Sequence, residues 1–242
     1  MAIIKGKHAV LEALHSESEI ERIVLSFQTQ NQPDMRMIMH LAKSRRIKVQ
    51  IASKETFDRM IPDAHTQGVL AYMPEHEGKS LEEILENQAQ YPFVVMVDHL
   101  QDPYNFGAIL RTCETMGIKA VIYPKDRNVQ ITPGVIKTSS GAIHYLDLVK
   151  VTNLAQCLEK MEKAGYWIYG TSDRDSTDLD HFTPQFPMVL VLGNEEKGLS
   201  PLLAKKTHGM IQIPMKGKIS SLNVSVAAGI LMYTLSRKLD FL

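Results

Sequence analysis

Cysteine is nearly absent from the 242 residues: Cys113 and Cys157 lie in separate expected helices and form neither a CxxC pair nor a zinc spacing. Both read as small core residues. Charge of one sign is absent too. With 27 basic and 27 acidic side chains, composition does not mark a nucleic-acid binder, and any such footprint must be a local patch. No run approaches the ~20 apolar residues that span a bilayer. The opening Met-Ala-Ile-Ile-Lys-Gly-Lys-His carries no signal-peptide apolar region, so a cytoplasmic protein without a membrane segment is expected. The nine histidines are dispersed and show no ligand spacing, so no metal is assigned. GxGxxG after a strand, GxxxxGK followed by Ser or Thr, HExxH and GxSxG are all missing. Dinucleotide, P-loop, zincin and α/β-hydrolase chemistries therefore lose their main support.

What remains is an ordinary globular composition, 44% hydrophobic and 22% charged, with enough chain for one large or two small domains. Residues 1–73 alternate short patterns. Helices are expected at His8–Leu14 and Asp34–Lys43, and strands at Glu21–Ser26, Ile47–Ala52 and Gly68–Tyr72, which together make a small αβα module. Residues 74–90 turn to Glu, Gln, Asn, Gly and Pro with one helical piece, Leu81–Glu86, and read as a linker. From residue 91 to 242 near-continuous apolar strands alternate with helices, the pattern of a parallel α/β sheet covered on both faces. Strands are expected at Phe93–Asp98, Lys119–Tyr123, Tyr145–Val149, Tyr166–Gly170, Met188–Gly193 and Met210–Pro214. Helices are expected at Asn105–Met116, Pro133–Ser139, Leu154–Ala164, Pro201–Lys206 and Leu222–Leu239. The last of these is apolar on nearly every side and must be buried in the core or against a partner subunit.

Three polar clusters follow three of these strands. After the strand ending at Asp98, Pro103 and Gly107 shape a turn, Asn105 can cap a helix, and Arg111 sits nearly two turns on. A lone Arg on a helix is mostly a surface residue. After the strand ending at Gly193 comes Asn194-Glu195-Glu196-Lys197-Gly198-Leu199-Ser200, which reads either as a ligand loop or as a charged turn with Ser200 and Pro201 starting a helix. After Ile213-Pro214-Met215 comes a loop with Gly217, Ser220, Ser221 and Asn223 ahead of the last helix. Ligands of open α/β sheets sit at such strand ends, so a small molecule is expected at Pro214 to Asn223. The same Ser and Asn would also serve as plain helix caps.

In this order, Asn105-x-Gly107-x-x-x-Arg111, Gly193-Asn194-Glu195-x-x-Gly198 and Ile213-Pro214-Met215 with Ser221-Leu222-Asn223-Val224-Ser225 resemble the three signature motifs of the SpoU/TrmH family of RNA ribose 2′-O-methyltransferases, a branch of the SPOUT superfamily. Gly6-Lys-His-Ala-Val10 and Thr66-Gln-Gly68 resemble the L30e-like substrate-binding domain that precedes the catalytic domain in the bacterial 23S rRNA guanosine-2′-O-methyltransferase group. The resemblance implies an α/β knot fold, a deep trefoil threaded by the C-terminal segment, and a homodimer with the site at its seam. It also implies transfer of a methyl group from S-adenosylmethionine to a ribose 2′-hydroxyl, most simply of a 23S rRNA guanosine.

Carried over residue by residue, Thr171, Leu192, Gly193, Ile213, Met215, Leu222 and Val224 would bind the cofactor. Arg111 would be essential, as proton acceptor or as bidentate holder of a phosphate, and Asn105, Glu195, Ser221 and Asn223 would position it, the ribose and the cofactor. Where the family often has Arg-Ser-Ala, this chain has Arg111-Thr112-Cys113, a small departure. Four cations in Lys43-Ser-Arg-Arg-Ile-Lys48, together with Lys216 and Lys218, become candidates for RNA contact: Lys43, Arg45, Arg46, Lys48, Lys216 and Lys218. A tRNA, an antibiotic-target rRNA nucleotide, or RNA binding without turnover are the competing readings.

Overall fold

The computed structural model describes residues 2–15, 19–61, 66–73, 78–172, 176–218 and 221–239. It forms two compact units, residues 1–76 with 132–137, and residues 77–131 with 138–242.

In the first unit β1 (Ala2–Lys5), α1 (Lys7–His15), β2 (Arg22–Ser26), α2 (Pro33–Ser44), β3 (Lys48–Ala52), α3 (Lys54–Met60) and β4 (Val69–Met73) follow one another. The sheet runs β1-β4-β2-β3, antiparallel except for the β2–β3 pair. Strand side chains alternate between faces. Ile23, Leu25, Val69 and Ala71 pack with Val10, Leu14, Met35 and Ile38 of α1 and α2, whereas Val24, Leu70 and Tyr72 pack with Phe57 of α3. Two elements were not expected from the sequence. β1 is four residues long, and α3 buries Phe57 alone, too thin a stripe to show as a helical period. The N-cap of α3 is Ser53, whose Oγ accepts from Thr56 N at 3.3 Å.

The second unit holds α4 (Leu81–Glu86), β5 (Phe93–Val97), α5 (Pro103–Thr115), β6 (Ala120–Pro124), β7 (Asp147–Val151), α7 (Leu154–Lys163), β8 (Trp167–Thr171), β9 (Thr177–Asp178), β10 (Met188–Leu192), α8 (Pro201–Ala204), β11 (Gly209–Gln212) and α9 (Val224–Leu239). Between β6 and β7 lies α6 (Pro133–Thr138), most of which clusters with the first unit, although the sequence placed it in the second. The seven strands are ordered β7-β6-β5-β10-β8-β11-β9, and every neighbouring pair is parallel. Every residue of β5, β6 and β10 is buried, as expected for a sheet covered on both faces. On one face Val94, Met96, Ile122, Val189 and Val191 meet Leu154, Leu158 and Met161 of α7. α5 and α9 pack together, with Cys113 Sγ 3.5 Å from Met232 Sδ.

The stretch expected as a linker does not stay off the core. Ser80 and Glu83 form a capping box at the start of α4, and Leu81 and Ile84 are buried in the second unit's core. Lys79 Nζ donates to Tyr91 Oη at 2.7 Å and to Asp147 Oδ2 at 3.2 Å, tying the segment to β7. Two apolar residues one turn apart suffice when an apolar surface is waiting, and the surrounding Glu and Gln masked them. The strand expected at Tyr145–Val149 lies at Asp147–Val151, because Ala142–His144 closes a 3-10 turn first.

The last helix is apolar all round, yet among the described residues only one face is covered. Ala228, Leu231, Met232 and Leu235 are buried, while Val226, Ile230 and Tyr233 are 50%, 38% and 51% exposed.

Candidate active site

Three segments follow the carboxyl ends of strands: 98–102 after β5, 193–200 after β10 and 213–218 after β11, the last taken up again at 221–223 ahead of α9. The first two are joined at the base. Asp98 N donates to Leu192 O at 2.8 Å, and the Asp98 carboxylate, only 2% exposed, accepts from Ser200 N at 2.8 Å through Oδ2 and meets His99 Nδ1 at 2.5 Å through Oδ1. His99 is held with φ +60°, in the left-handed region, and its carbonyl accepts from Asn194 Nδ2 at 2.8 Å.

The loop after β10 is a tight hairpin. Asn194 and Gly198 exchange backbone hydrogen bonds of 2.9 and 3.0 Å, and Asn194 Oδ1 accepts from Glu196 N and Lys197 N. A Cβ on Gly193 would lie 2.3 Å from Gly198 C and 2.4 Å from Leu199 N, so the doubled-back backbone leaves space only for glycine. Gly198 has φ +65°.

At the mouth of these loops Asn105, Glu195 and Asn223 come together. Asn105 lies in the first turn of α5, whose N-cap Asp102 accepts from Tyr104 N and Asn105 N. Glu195 Oε1 accepts from Asp102 N and from Asn105 Nδ2, each at 3.4 Å. Asn105 Oδ1 accepts from Asn223 Nδ2 at 3.0 Å, and Asn223 Oδ1 accepts from Ser225 N at 2.9 Å at the start of α9. One polar chain thus ties together all three strand-end loops. Arg111, exposed and further along α5, donates from Nη1 to Ser140 Oγ at 3.2 Å; Ser140 itself has φ +51°.

Leu192 and Gly193 close β10, and Thr171 closes the neighbouring β8. Ile213 follows β11, beside β8, so these four stand at one end of three adjacent strands. Leu222 and Val224 are half-buried on the approach to α9; Met215, Lys216, Lys218 and Ser221 are exposed. Ile219 and Ser220 lie outside the described residues. In the first unit Lys43, Arg46 and Lys48 are exposed at the end of α2 and the start of β3. Arg45 is different: its guanidinium donates to Ala13 O and Leu14 O at 3.1 and 3.0 Å, capping the end of α1. This engagement gives Arg45 a role within the first unit. Among the described residues there is no group of three or more His, Cys, Asp or Glu able to hold a metal.

Sequence reasoning quoted Asp98 and Asn194 within the clusters without giving either a role, and did not single out His99 or Ser140. The one available signal was an Asp ending an otherwise apolar strand. Ser140 lies 29 residues from Arg111, with no pattern to join them.

The chain matches the SpoU rRNA Methylase family over residues 92–233 and the RNA 2′-O ribose methyltransferase substrate-binding family over residues 3–78. It is 36% identical over 236 residues to a Bacillus subtilis protein, YacO, named a candidate TrmH family tRNA/rRNA methyltransferase, covering 96% of this chain and 94% of that one. Among solved structures, the AdoMet-bound rRNA methyltransferase of Sinorhizobium meliloti superposes with a TM-score of 0.65 at 22% identity, over 98% of this chain and 87% of that one. The TrmH/SpoU tRNA modifying enzyme of A. aeolicus is 30% identical with a TM-score of 0.57, over 66% of this chain and 85% of that one. With its three motifs gathered at one end of a parallel sheet, the chain belongs to the SpoU/TrmH family of RNA 2′-O-ribose methyltransferases.

Proposed function

We propose that the protein methylates a ribose 2′-hydroxyl of 23S rRNA, at a guanosine, using S-adenosylmethionine. The observation that carries this reading is the Asn223–Asn105–Glu195 chain, which draws three distant motifs to one mouth. The rRNA choice is supported by coverage. The Sinorhizobium rRNA enzyme matches 98% of this chain, first unit included, whereas the A. aeolicus tRNA enzyme matches 66%.

The strand-end loops fit an adenosyl ligand chemically. Ile213, Leu222 and Val224 offer apolar surface for a base, and the backbone around Leu192 and Gly193, the latter left without a side chain by the close approach of Gly198 and Leu199, offers hydrogen-bonding groups. Thr171 and Met215 complete this set. When bound, the donor supplies a methyl group already activated on a sulfonium. The residues then have two tasks, alignment of the hydroxyl and removal of its proton. Arg111 is the group on which turnover depends. A guanidinium stays protonated to about pH 12 or above, so bidentate holding of the phosphate beside the acceptor ribose suits it better than proton abstraction. Asn105 and Glu195 fix the start of the helix that carries Arg111, Asn223 fixes the start of α9, and Ser221 faces the incoming ribose.

The exposed stripe Val226, Ile230 and Tyr233, spaced i, i+4 and i+7 on α9, supports a homodimer seam beside the site. A trefoil knot is supported by the strand order, which sets β10 and β8 between β5 and β11, together with the hydrogen bond that brings Asn223 back to Asn105 of α5. In this reading the C-terminal segment threads an earlier loop. Lys43, Arg46, Lys48, Lys216 and Lys218 contact the RNA backbone, and the enzyme works in the cytoplasm where ribosomal RNA is assembled.

Mapping 2′-O-methylation in total RNA from a deletion strain tests the function. Loss of one 23S rRNA mark is expected, and loss of a tRNA mark would reassign the acceptor. Retention of every mark would leave an RNA-binding module. In vitro, Arg111→Ala should abolish transfer while the donor still binds.

A further inference from the structure

The loop joining β2 to α2, Phe27-Gln-Thr-Gln-Asn-Gln32, differs in composition from the basic run Lys43–Lys48. It holds no charge, four amide side chains and one large aromatic that is 64% exposed. Gln28, Asn31 and Gln32 are exposed as well, and among the described residues none of the four amides is spent on an internal hydrogen bond. The backbone beneath is fixed. Phe27 N donates to Ala52 O at 2.9 Å, Ser26 N to Gly68 O at 2.9 Å, and Thr29 N and Gln30 N both donate to Ser26 O. Thr29 Oγ1 contacts Ser26 O at 3.2 Å and Gly68 O at 3.3 Å. Gly68 has φ +79°, and a Cβ there would lie 2.2 Å from Thr29 Oγ1, so the loop is locked against the start of β4.

From this we infer that Phe27–Gln32 is a recognition site for an unpaired adenine of the RNA substrate, resting on the RNA reading above. Exposed aromatic rings stack on unstacked bases, and the Asn or Gln carboxamide, donor and acceptor together, matches the adenine N6/N7 edge. An uncharged loop reads bases; it does not neutralise phosphates. A large contiguous apolar patch would mark a protein-docking site, and here the aromatic stands among amides. The preset backbone lowers the ordering cost on binding.

Fluorescence anisotropy with the full chain tests this, using single-stranded oligo(rA) and oligo(rU) of twelve nucleotides. The wild-type protein should prefer oligo(rA). Phe27→Ala should weaken oligo(rA) binding at least about fivefold, the low end for losing one stacked base, and Phe27→Trp should restore it. Gln28→Ala with Asn31→Ala should erase the preference for A over U while leaving the salt dependence of binding unchanged, because no phosphate contact is lost. Phe27 is exposed, so the thermal melt should not move. Equal affinity of Phe27→Ala and wild type, or no wild-type preference for A, overturns the inference. Methyl transfer to ribosomal RNA, assayed alongside, reports separately on the proposed function: an enzyme that methylates normally with Phe27→Ala at unchanged KM loses this site and keeps its activity.

Discussion

Asp98 Oδ2 accepts a hydrogen bond from the backbone N of Ser200 across 2.8 Å, joining the end of β5 to the far end of the loop that follows β10. The carboxylate is buried, and its other oxygen holds the His99 ring. Removing it leaves the Ser200 amide and His99 without their acceptor inside the protein, a cost of about 1–3 kcal/mol. Asp98→Ala should therefore lower the melting temperature by several degrees. It should also raise the Kd for S-adenosylmethionine in calorimetric titration, since the 193–200 loop loses its anchor. Unchanged stability and unchanged affinity together would show that Asp98 holds nothing.

Asn105 sits at the junction of all three motifs, accepting from Asn223 and donating to Glu195. Alanine there disconnects α9 and the 193–200 loop from α5, the helix that bears Arg111. A shift of about 1 Å in a reacting group costs up to ~100-fold in rate. Asn105→Ala should thus lower kcat on ribosomal RNA on the order of 10- to 100-fold, while the KM for RNA moves much less. Equal loss in RNA affinity would place Asn105 in substrate binding instead.

Gly193 offers a purely steric test. A methyl group at this position meets the carbonyl carbon of Gly198 and the amide of Leu199, backbone atoms that no rotamer change can move aside. Gly193→Ala should open the Asn194–Gly198 bridge and abolish measurable cofactor binding while the rest of the parallel sheet stays folded, as far-ultraviolet circular dichroism would report. Retained binding would show that the hairpin tolerates a wider turn.

How much of this was legible beforehand depends on where the signal resides. The apolar runs at Phe93–Val97 and Met188–Leu192 announced their strands, because a strand buried on both faces needs an unbroken run. The ordered motifs placed Asn105, Glu195 and Asn223 on three strand-end loops, and those loops do converge. Other features were hidden for physical reasons. α3 draws its stability from a surface that only the folded unit supplies, so it carries no strong period of its own; α4 was expected at Leu81–Glu86, and only its burial in the core was not. The sequence grouped Arg45 with Lys43, Arg46 and Lys48 as one basic run, but a run of charges does not tell which guanidinium will turn back onto helix carbonyls. The grouping of α6 with the first unit depends on a long-range return of the chain that no local pattern encodes.

The buried thiols and phenols set the alkaline limit of the fold. Burial pushes the Cys157 thiol up to about 12 from an ordinary 9.0, and raises Cys113 further in the same direction. Burial also pushes the Tyr166 phenol up to about 12 from 10.0. In each case the folded state favours the neutral form more than the unfolded chain does. The stabilisation is therefore complete below pH 9, begins to fall as unfolded thiols ionise, and continues to fall toward pH 12. At pH 8 neither cysteine should react with a thiol reagent until denaturant is added, because the thiolate fraction and the access are both negligible. The melting temperature should decline progressively between pH 9 and pH 12. Replacing both cysteines with alanine should remove the portion of that decline that starts near pH 9 and leave the portion that starts near pH 10, to which the Tyr166, Tyr91 and Tyr169 phenols, all raised by burial, contribute. A double variant with the same pH profile as the wild type would show that the thiols contribute nothing to it.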